Sequence, residues 1–105
     1  MKPELSKTFD QRCYDLLLQI PKGKVTTYRE IAHALGTKAY RAVGQAMNRN
    51  PNLVRVPCHR VVKSNGEVGG YAQGENEKIK LLLEEGIALR KNKILNLEIY
   101  LHQFR

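Results

Sequence analysis

Three breakers divide the first half of the chain: Pro21, Gly36 and the pair Asn50-Pro51. Proline cannot continue a helix and disfavours helical backbone at the residue before it, while glycine just past a last turn closes one. The segments between the breakers can therefore form only short helices. Phe9, Cys13, Leu16, Leu17 and Ile20 fall at helical spacing after Thr8 and Gln11, a capping-box pair. Thr27 with Glu30 repeats that pattern ahead of Ile31, Ala32, Ala34 and Leu35, and Thr37 can cap a third segment carrying Ala39, Val43, Ala46 and Met47. Two short helices joined at Gly36-Thr37 read as a helix-turn-helix, although a helix pair inside an ordinary bundle meets the same spacing.

Farther along, Val61 and Val62 are separated from Val68 by Ser64-Asn65-Gly66-Glu67, and Asn-Gly is the strongest short hairpin signal. A hairpin after a helix-turn-helix is a wing. Gly74 to Glu85 then reads as a helix with Ile79, Leu82 and Leu83 inward, closed by Gly86. The tail from Ile94 to Phe104 alternates Leu95, Leu97, Ile99 and Leu101, which suits a strand or a frayed helix. At 105 residues the chain has material for one core. The expected fold is one domain, residues 1–105, mainly α with a small β-hairpin wing.

Charge narrows the partners. Eighteen Lys and Arg against 10 Asp and Glu give a net charge of +8, and the pI is about 9.7. Between Glu30 and Glu67 there is no acid, yet Lys38, Arg41, Arg49, Arg55, Arg60 and Lys63 fall there. A solvated basic face would look the same, but so long an acid-free stretch favours a face aimed at phosphates. In a helix-turn-helix the second helix commonly enters the major groove, and here it would carry Lys38, Arg41, Gln45 and Arg49. The apolar runs are far shorter than the roughly 20 residues a spanning helix needs, so a membrane is not expected. The start, Met1-Lys2-Pro3-Glu4, lacks the apolar stretch of a signal peptide, so the expected place is the cytoplasm or nucleoid, or the nucleus in a eukaryote. Two cysteines exclude a disulfide scaffold, and Cys13, Cys58, His33, His59 and His102 are too scattered for a zinc knuckle. Cys13, on an apolar helix face, reads as a small core hydrophobe.

The run Val56-Pro57-Cys58-His59-Arg60-Val61-Val62 carries the chemistry. A thiolate is the nucleophilic form of cysteine, and an imidazole held by a carboxylate can draw off its proton, through a water if need be. A buried structural cysteine beside a satisfied histidine fits the same pair. A cysteine protease, whose partners lie far apart in sequence, suits a basic helix-turn-helix poorly.

Over roughly residues 8 to 90 the sequence resembles the DNA-binding, active-site domain of the O6-alkylguanine-DNA alkyltransferases, or methylated-DNA-protein-cysteine methyltransferases. The resemblance rests on Gly23-Lys24-Val25-Thr26-Thr27-Tyr28, Arg41-Ala42-Val43-Gly44, Asn50-Pro51, Pro57-Cys58-His59-Arg60-Val61-Val62, Gly69-Gly70-Tyr71 and Glu84-Glu85-Gly86, in family order. It implies a winged helix-turn-helix that binds the minor groove of double-stranded DNA, which replaces the major-groove expectation. It also implies repair: irreversible transfer of an alkyl group from O6-alkylguanine, with O4-alkylthymine as a second substrate class. Cys58 matches the acceptor, His59 the base acting through water, and Glu85 the carboxylate orienting it. Tyr28 matches the donor to the flipped base, Asn50 the bridge from helix-turn-helix to active-site turn, and Arg41 the finger filling the vacated stack. Thr27, Lys38, Ala42, Gln45, Arg49 and Arg60 join Tyr28 and Arg41 as expected DNA contacts, and Val61, Tyr71, Ala72 and Gln73 as the expected alkyl pocket.

No cofactor or metal is implied, since zinc in the family belongs to an N-terminal domain for which the short stretch ahead of the first helix has no room; a monomer is expected. Ala72-Gln73-Gly74 replaces the usual small residue followed by Gly-Gly, which bears on substrate size. Alkyltransferase-like proteins, which flag alkylguanine without repairing it, are the alternative. They replace the reactive cysteine, whereas Cys58 is retained here.

Overall fold

The computed structural model describes residues 8–51 and 55–104; the amino-terminal residues read for a signal peptide lie outside the described residues. Helix α1 (Phe9–Leu17) starts on a complete capping box: the Thr8 hydroxyl accepts from the Gln11 N–H at 3.1 Å, and the Gln11 side chain accepts from the Thr8 N–H at 3.1 Å. Helix α2 (Tyr28–Ala34) starts on Thr27, whose hydroxyl accepts from the Glu30 N–H at 3.0 Å. It closes at Gly36, φ +75°, where the Thr37 N–H returns to the Ala32 carbonyl at 2.9 Å. Helix α3 (Tyr40–Asn48) has Ala39 at its N-cap and no side-chain cap. Thr37 does not cap it; its hydroxyl accepts from the Ala39 N–H at 3.2 Å and tightens the turn instead. Cys13, Leu17, Ile20, Ile31, Val43, Ala46, Cys58 and Val61 form the core between these helices.

The expected hairpin from Val62 to Val68 is present only as a turn. The Gly66 N–H donates to the Lys63 carbonyl at 2.9 Å and the Lys63 N–H to the Glu67 carbonyl at 2.8 Å. Strand β2 (Val61–Val62) pairs instead, in parallel, with β1 (Thr26–Thr27), Thr26 opposite Val61 and Thr27 opposite Val62. Both valines are completely buried there, and a strand covered on both sides suits parallel pairing. The antiparallel hairpin comes later, as β3 (Leu89–Arg90) and β4 (Lys93–Ile94), and Lys93 bridges back to Glu67.

Helix α4 (Glu75–Glu84) closes at Gly86, φ +90°, with the Ile87 N–H on the Leu82 carbonyl at 3.1 Å. Leu82 is buried as expected, in a second core with Val25, Val62, Val68, Ile87 and Ile94, and Ile79 packs against it. Leu83, also expected inward, is 52% exposed, and Lys78 lies buried on the helix instead. The tail is neither one strand nor one helix: β4 is followed by α5 (Leu97–Tyr100) and by Leu101, which bridges Val25 in parallel. Over the described residues the fold is mainly helical with two small sheets. Among the described residues, no helix is long and apolar enough to cross a membrane.

Candidate active site

A 3-10 turn, Cys58–Arg60, follows Pro57 and leads straight into β2. The Asn50 side chain, just past α3, donates from Nδ2 to the Val56 carbonyl at 2.9 Å, while the Cys58 N–H donates to that same carbonyl at 2.8 Å. One acceptor thus ties the end of the helix-turn-helix to the turn. Cys58 is 4% exposed and His59 6%.

Glu85, at the C-cap of α4, gathers the rest. His59 Nε2 lies 2.9 Å from Glu85 Oε2, and Arg60 donates from Nε to Oε1 at 2.9 Å and from a terminal nitrogen to Oε2 at 2.8 Å. The other terminal nitrogen of Arg60 donates to the Ile20 carbonyl at 2.7 Å. Burial alone would raise the Glu85 carboxyl, but the hydrogen bonds from Arg60 and His59 outweigh it and hold the group below the ordinary carboxylate range. With Nε2–H directed at this carboxylate, His59 Nδ1 keeps its lone pair, and it has no hydrogen-bond partner among the described residues. Burial lowers the His59 pKa more than Glu85 raises it, so the ring is neutral and able to take a proton.

Burial also pushes the Cys58 thiol up, and a hydrogen bond from Asn50 and the charge of Lys78 offset part of that rise. Sequence reasoning missed Lys78, because a lysine on a helix that also carries Lys80 and three glutamates reads as solvated. It has no exposed surface, and Nζ donates to the carbonyls of Val61 at 2.6 Å and Gly70 at 3.0 Å, joining the active-site strand to the loop that follows. Burial lowers its pKa to about 8. Tyr28 opens α2, and its phenol is raised by burial first and by Cys58 second. A Cβ added at Gly69 would lie 3.4 Å from the Tyr28 hydroxyl, at φ +76°, so the residue there must be glycine. Tyr71 stands edge-on to His59 at 6.4 Å between ring centroids.

The structure brings Cys58, His59, Glu85, Asn50, Tyr28 and Tyr71 around one turn. Ala72 and Gln73 are exposed at the outer end of the Tyr71 loop. Val61, expected in the pocket, is wholly buried in the core, and Lys78 occupies its carbonyl. On α3 and the turn before it, Lys38, Arg41 and Gln45 are exposed and Ala42 is half-buried. Three of the expected DNA contacts have partners within the chain. Arg60 is committed to Glu85 and Ile20; Thr27 is 3% exposed and its hydroxyl caps α2; Arg49 is bidentate to Asp10 at 2.7 and 2.9 Å, which neutralises its charge locally. Among the described residues, no group of three or more His, Cys, Asp and Glu side chains could hold a metal ion.

Residues 8–87 match the family described as "6-O-methylguanine DNA methyltransferase, DNA binding domain". The chain belongs to this family. Within it, the chain is 49% identical over 73 residues to the methylated-DNA-protein-cysteine methyltransferase of Saccharolobus solfataricus, covering 70% of this chain and 47% of that protein. It spans about half the length, or less, of the curated relatives it matches. Among solved structures, S. pombe Atl1 in complex with damaged DNA containing O6-carboxymethylguanine superposes with a TM-score of 0.80 at 34% identity, covering 98% of this chain and 99% of that one. Mycobacterium tuberculosis OGT in complex with DNA gives a TM-score of 0.73 at 43% identity, over 77% of this chain and 50% of that one.

Proposed function

We propose that this domain repairs DNA by moving an alkyl group from O6 of guanine in a duplex to Cys58, irreversibly and once per chain. A base-edge atom cannot meet a buried sulfur inside a stack, so the nucleotide must first rotate out. The Cys58 proton passes through water to His59 Nδ1 while Glu85 holds Nε2–H. The thiolate then bonds to the alkyl carbon as the carbon–O6 bond breaks. Guanine leaves with its electron pair, and a proton from the Tyr28 hydroxyl neutralises it. The observation that carries this reading is the His59–Glu85 pair at 2.9 Å, which leaves Nδ1 as the ring's open acceptor on the residue that follows the buried Cys58.

In this reading residues 1–105 act as one domain and as a monomer. The helix-turn-helix and the turn at Lys63 to Glu67 serve as a winged unit entering the minor groove, with Arg41 filling the stack. Tyr71, Ala72 and Gln73 flank the alkyl pocket. A Cβ at Gly44 would meet nothing within 4 Å, so no contact inside the chain demands glycine there; a closely approaching groove would. One observation favours lesion binding without transfer, namely that the match to Atl1 spans nearly the whole of both chains. Incubation with a duplex carrying labelled O6-methylguanine, followed by mass analysis of the protein, separates the two. A gain of one methylene on the Cys58 peptide supports transfer, and tight binding with no mass gain supports the alternative.

A further inference from the structure

We propose that the β3–β4 hairpin is a second phosphate-binding surface, which grips duplex DNA alongside α3. This rests on the DNA-binding reading above and extends it to a part of the chain beyond the family match, which ends at residue 87. From Ala88 to Leu97 the chain has no acid, and Arg90, Lys91 and Lys93 lie in that stretch. All three are exposed, and their side chains make no hydrogen bond or ion pair with other described residues.

The hairpin is fixed to the site through the turn at Lys63 to Glu67. The Ile94 N–H donates to the Gly66 carbonyl at 2.8 Å, the Val68 N–H donates to the Asn92 carbonyl at 2.9 Å, and Lys93 bridges Glu67. A Cβ on Gly66 would lie 3.4 Å from Lys93 Cγ, so turn and hairpin are packed together. The other side of that turn, Lys63, Ser64 and Asn65, walls a cavity of about 470 Å³ with Tyr28, Arg29 and Tyr40. Arg41 follows Tyr40 on α3. Arg29 and Lys63 line that cavity and Lys93 packs against Gly66 of the same turn, so basic side chains lie on both sides of the turn, an arrangement that suits a polyanionic backbone. Glu67 offsets part of the Lys63 charge at 3.8 Å and accepts from the Asn65 side chain at 3.2 Å, so the hairpin cations carry the larger share of the patch's charge.

The hairpin tip gives a second, independent reason. Lys91, first of the two loop residues, has φ +56°, a left-handed backbone that glycine or asparagine adopts with less strain. Asn92, the second loop residue, does not share the positive φ, so the strain falls on Lys91. A lysine at this tip therefore puts a charge at the exposed end of the hairpin where turn chemistry alone would put glycine.

Lys91→Gly removes the charge and relieves the backbone at once, so the two explanations predict opposite outcomes. Fluorescence anisotropy with an undamaged duplex, across a salt series, would compare the parent, Lys91→Gly and the triple variant Arg90→Gln/Lys91→Gly/Lys93→Gln. Lys91→Gly is expected to melt no lower than the parent yet bind more weakly, with the salt slope reduced by about 1. The triple variant is expected to lose about 10-fold or more in affinity and two to three units of slope, while transfer from free O6-methylguanine base stays at the parent rate. Parent-like affinity and slope in both variants would overturn the hairpin assignment while leaving Cys58 chemistry untouched. Equal loss of free-base transfer in the triple variant would also overturn it, since the hairpin would then be holding the fold. Arg41→Ala is run beside them. A parent whose duplex binding ignores both salt and Arg41→Ala fails the DNA-binding reading itself.

Discussion

Around Cys58 the side chains hold one another. Glu85 accepts from His59 and twice from Arg60, Arg60 reaches on to Ile20, and Asn50 and Lys78 fix the carbonyls on either side of the sulfur. Along α3 and the turn before it, Lys38, Arg41 and Gln45 lie exposed and make no side-chain hydrogen bond with other described residues. The first region is preorganised in the free protein, and its groups are tuned by burial. In the proposed reading the second is completed by duplex DNA. Substitutions in the first should therefore change rate and thiol titration, and those in the second should change affinity and its response to salt.

The largest expected effect tests that separation outright. Cys58→Ala is expected to abolish transfer while leaving duplex affinity within a few-fold of the parent, as read by label retention and anisotropy, because phosphate contacts dominate the interface. Next comes Glu85→Gln. It removes the charge shared by His59 and Arg60, so the single-turnover rate is expected to fall by about 100-fold and stability by about 1–3 kcal/mol, the latter measured by urea denaturation. A glutamate acting only as a helix-end charge would move neither.

Lys78→Met sharpens the buried side of the comparison. Burial lowers the Lys78 pKa to about 8. Above that pH the native lysine has lost its proton while the unfolded one still holds it, so the unfolded chain binds more protons and the parent gains stability up to the ordinary lysine range. The buried thiols of Cys13 and Cys58 work the other way over part of that range, so it is the difference that reports Lys78: the parent's urea midpoint is expected to gain on that of Lys78→Met between pH 8 and about 10.4. Identical profiles would place the lysine outside the core.

Arg41→Ala crosses the two regions. It is expected to slow transfer from a methylated duplex far more than from free O6-methylguanine, since only the duplex leaves a gap in the stack; equal losses would make Arg41 a phosphate anchor. The smallest effect separates two basic residues at either end of α3. Lys38→Ala should lower the salt slope by about 1, and Arg49→Ala by less, because Asp10 already neutralises Arg49. The reverse order would show that the Arg49–Asp10 pair opens on DNA.

Much of this was legible because it is local. The Thr8 and Thr27 caps and the Gly36 and Gly86 closures depend on neighbours within a turn, and each forms where the spacing places it. Cys58, His59 and Glu85 were legible through family motifs, whose order stands in for distance. What was hidden depends on long-range pairing. Val61 pairs with Thr26 rather than across its own turn, which two-residue strands cannot announce by alternation. Arg60 looked like one more phosphate contact, because nothing local shows that Glu85 meets it. Lys78 reads as solvated, because a lysine on a charged helix carries no sign of the two carbonyls that receive it.

In the proposed mechanism His59, held by Glu85, sets the reactivity of Cys58. Alkylation of Cys58 by iodoacetamide across pH, in the parent and in Glu85→Gln, measures this without DNA, with Cys13 as an internal control whose thiol burial pushes up to about 11. The account predicts a higher apparent Cys58 pKa and a slower reaction in Glu85→Gln, with Cys13 unchanged. Coincident Cys58 profiles in the two proteins would contradict it, even if Cys58 proves to be the alkyl acceptor.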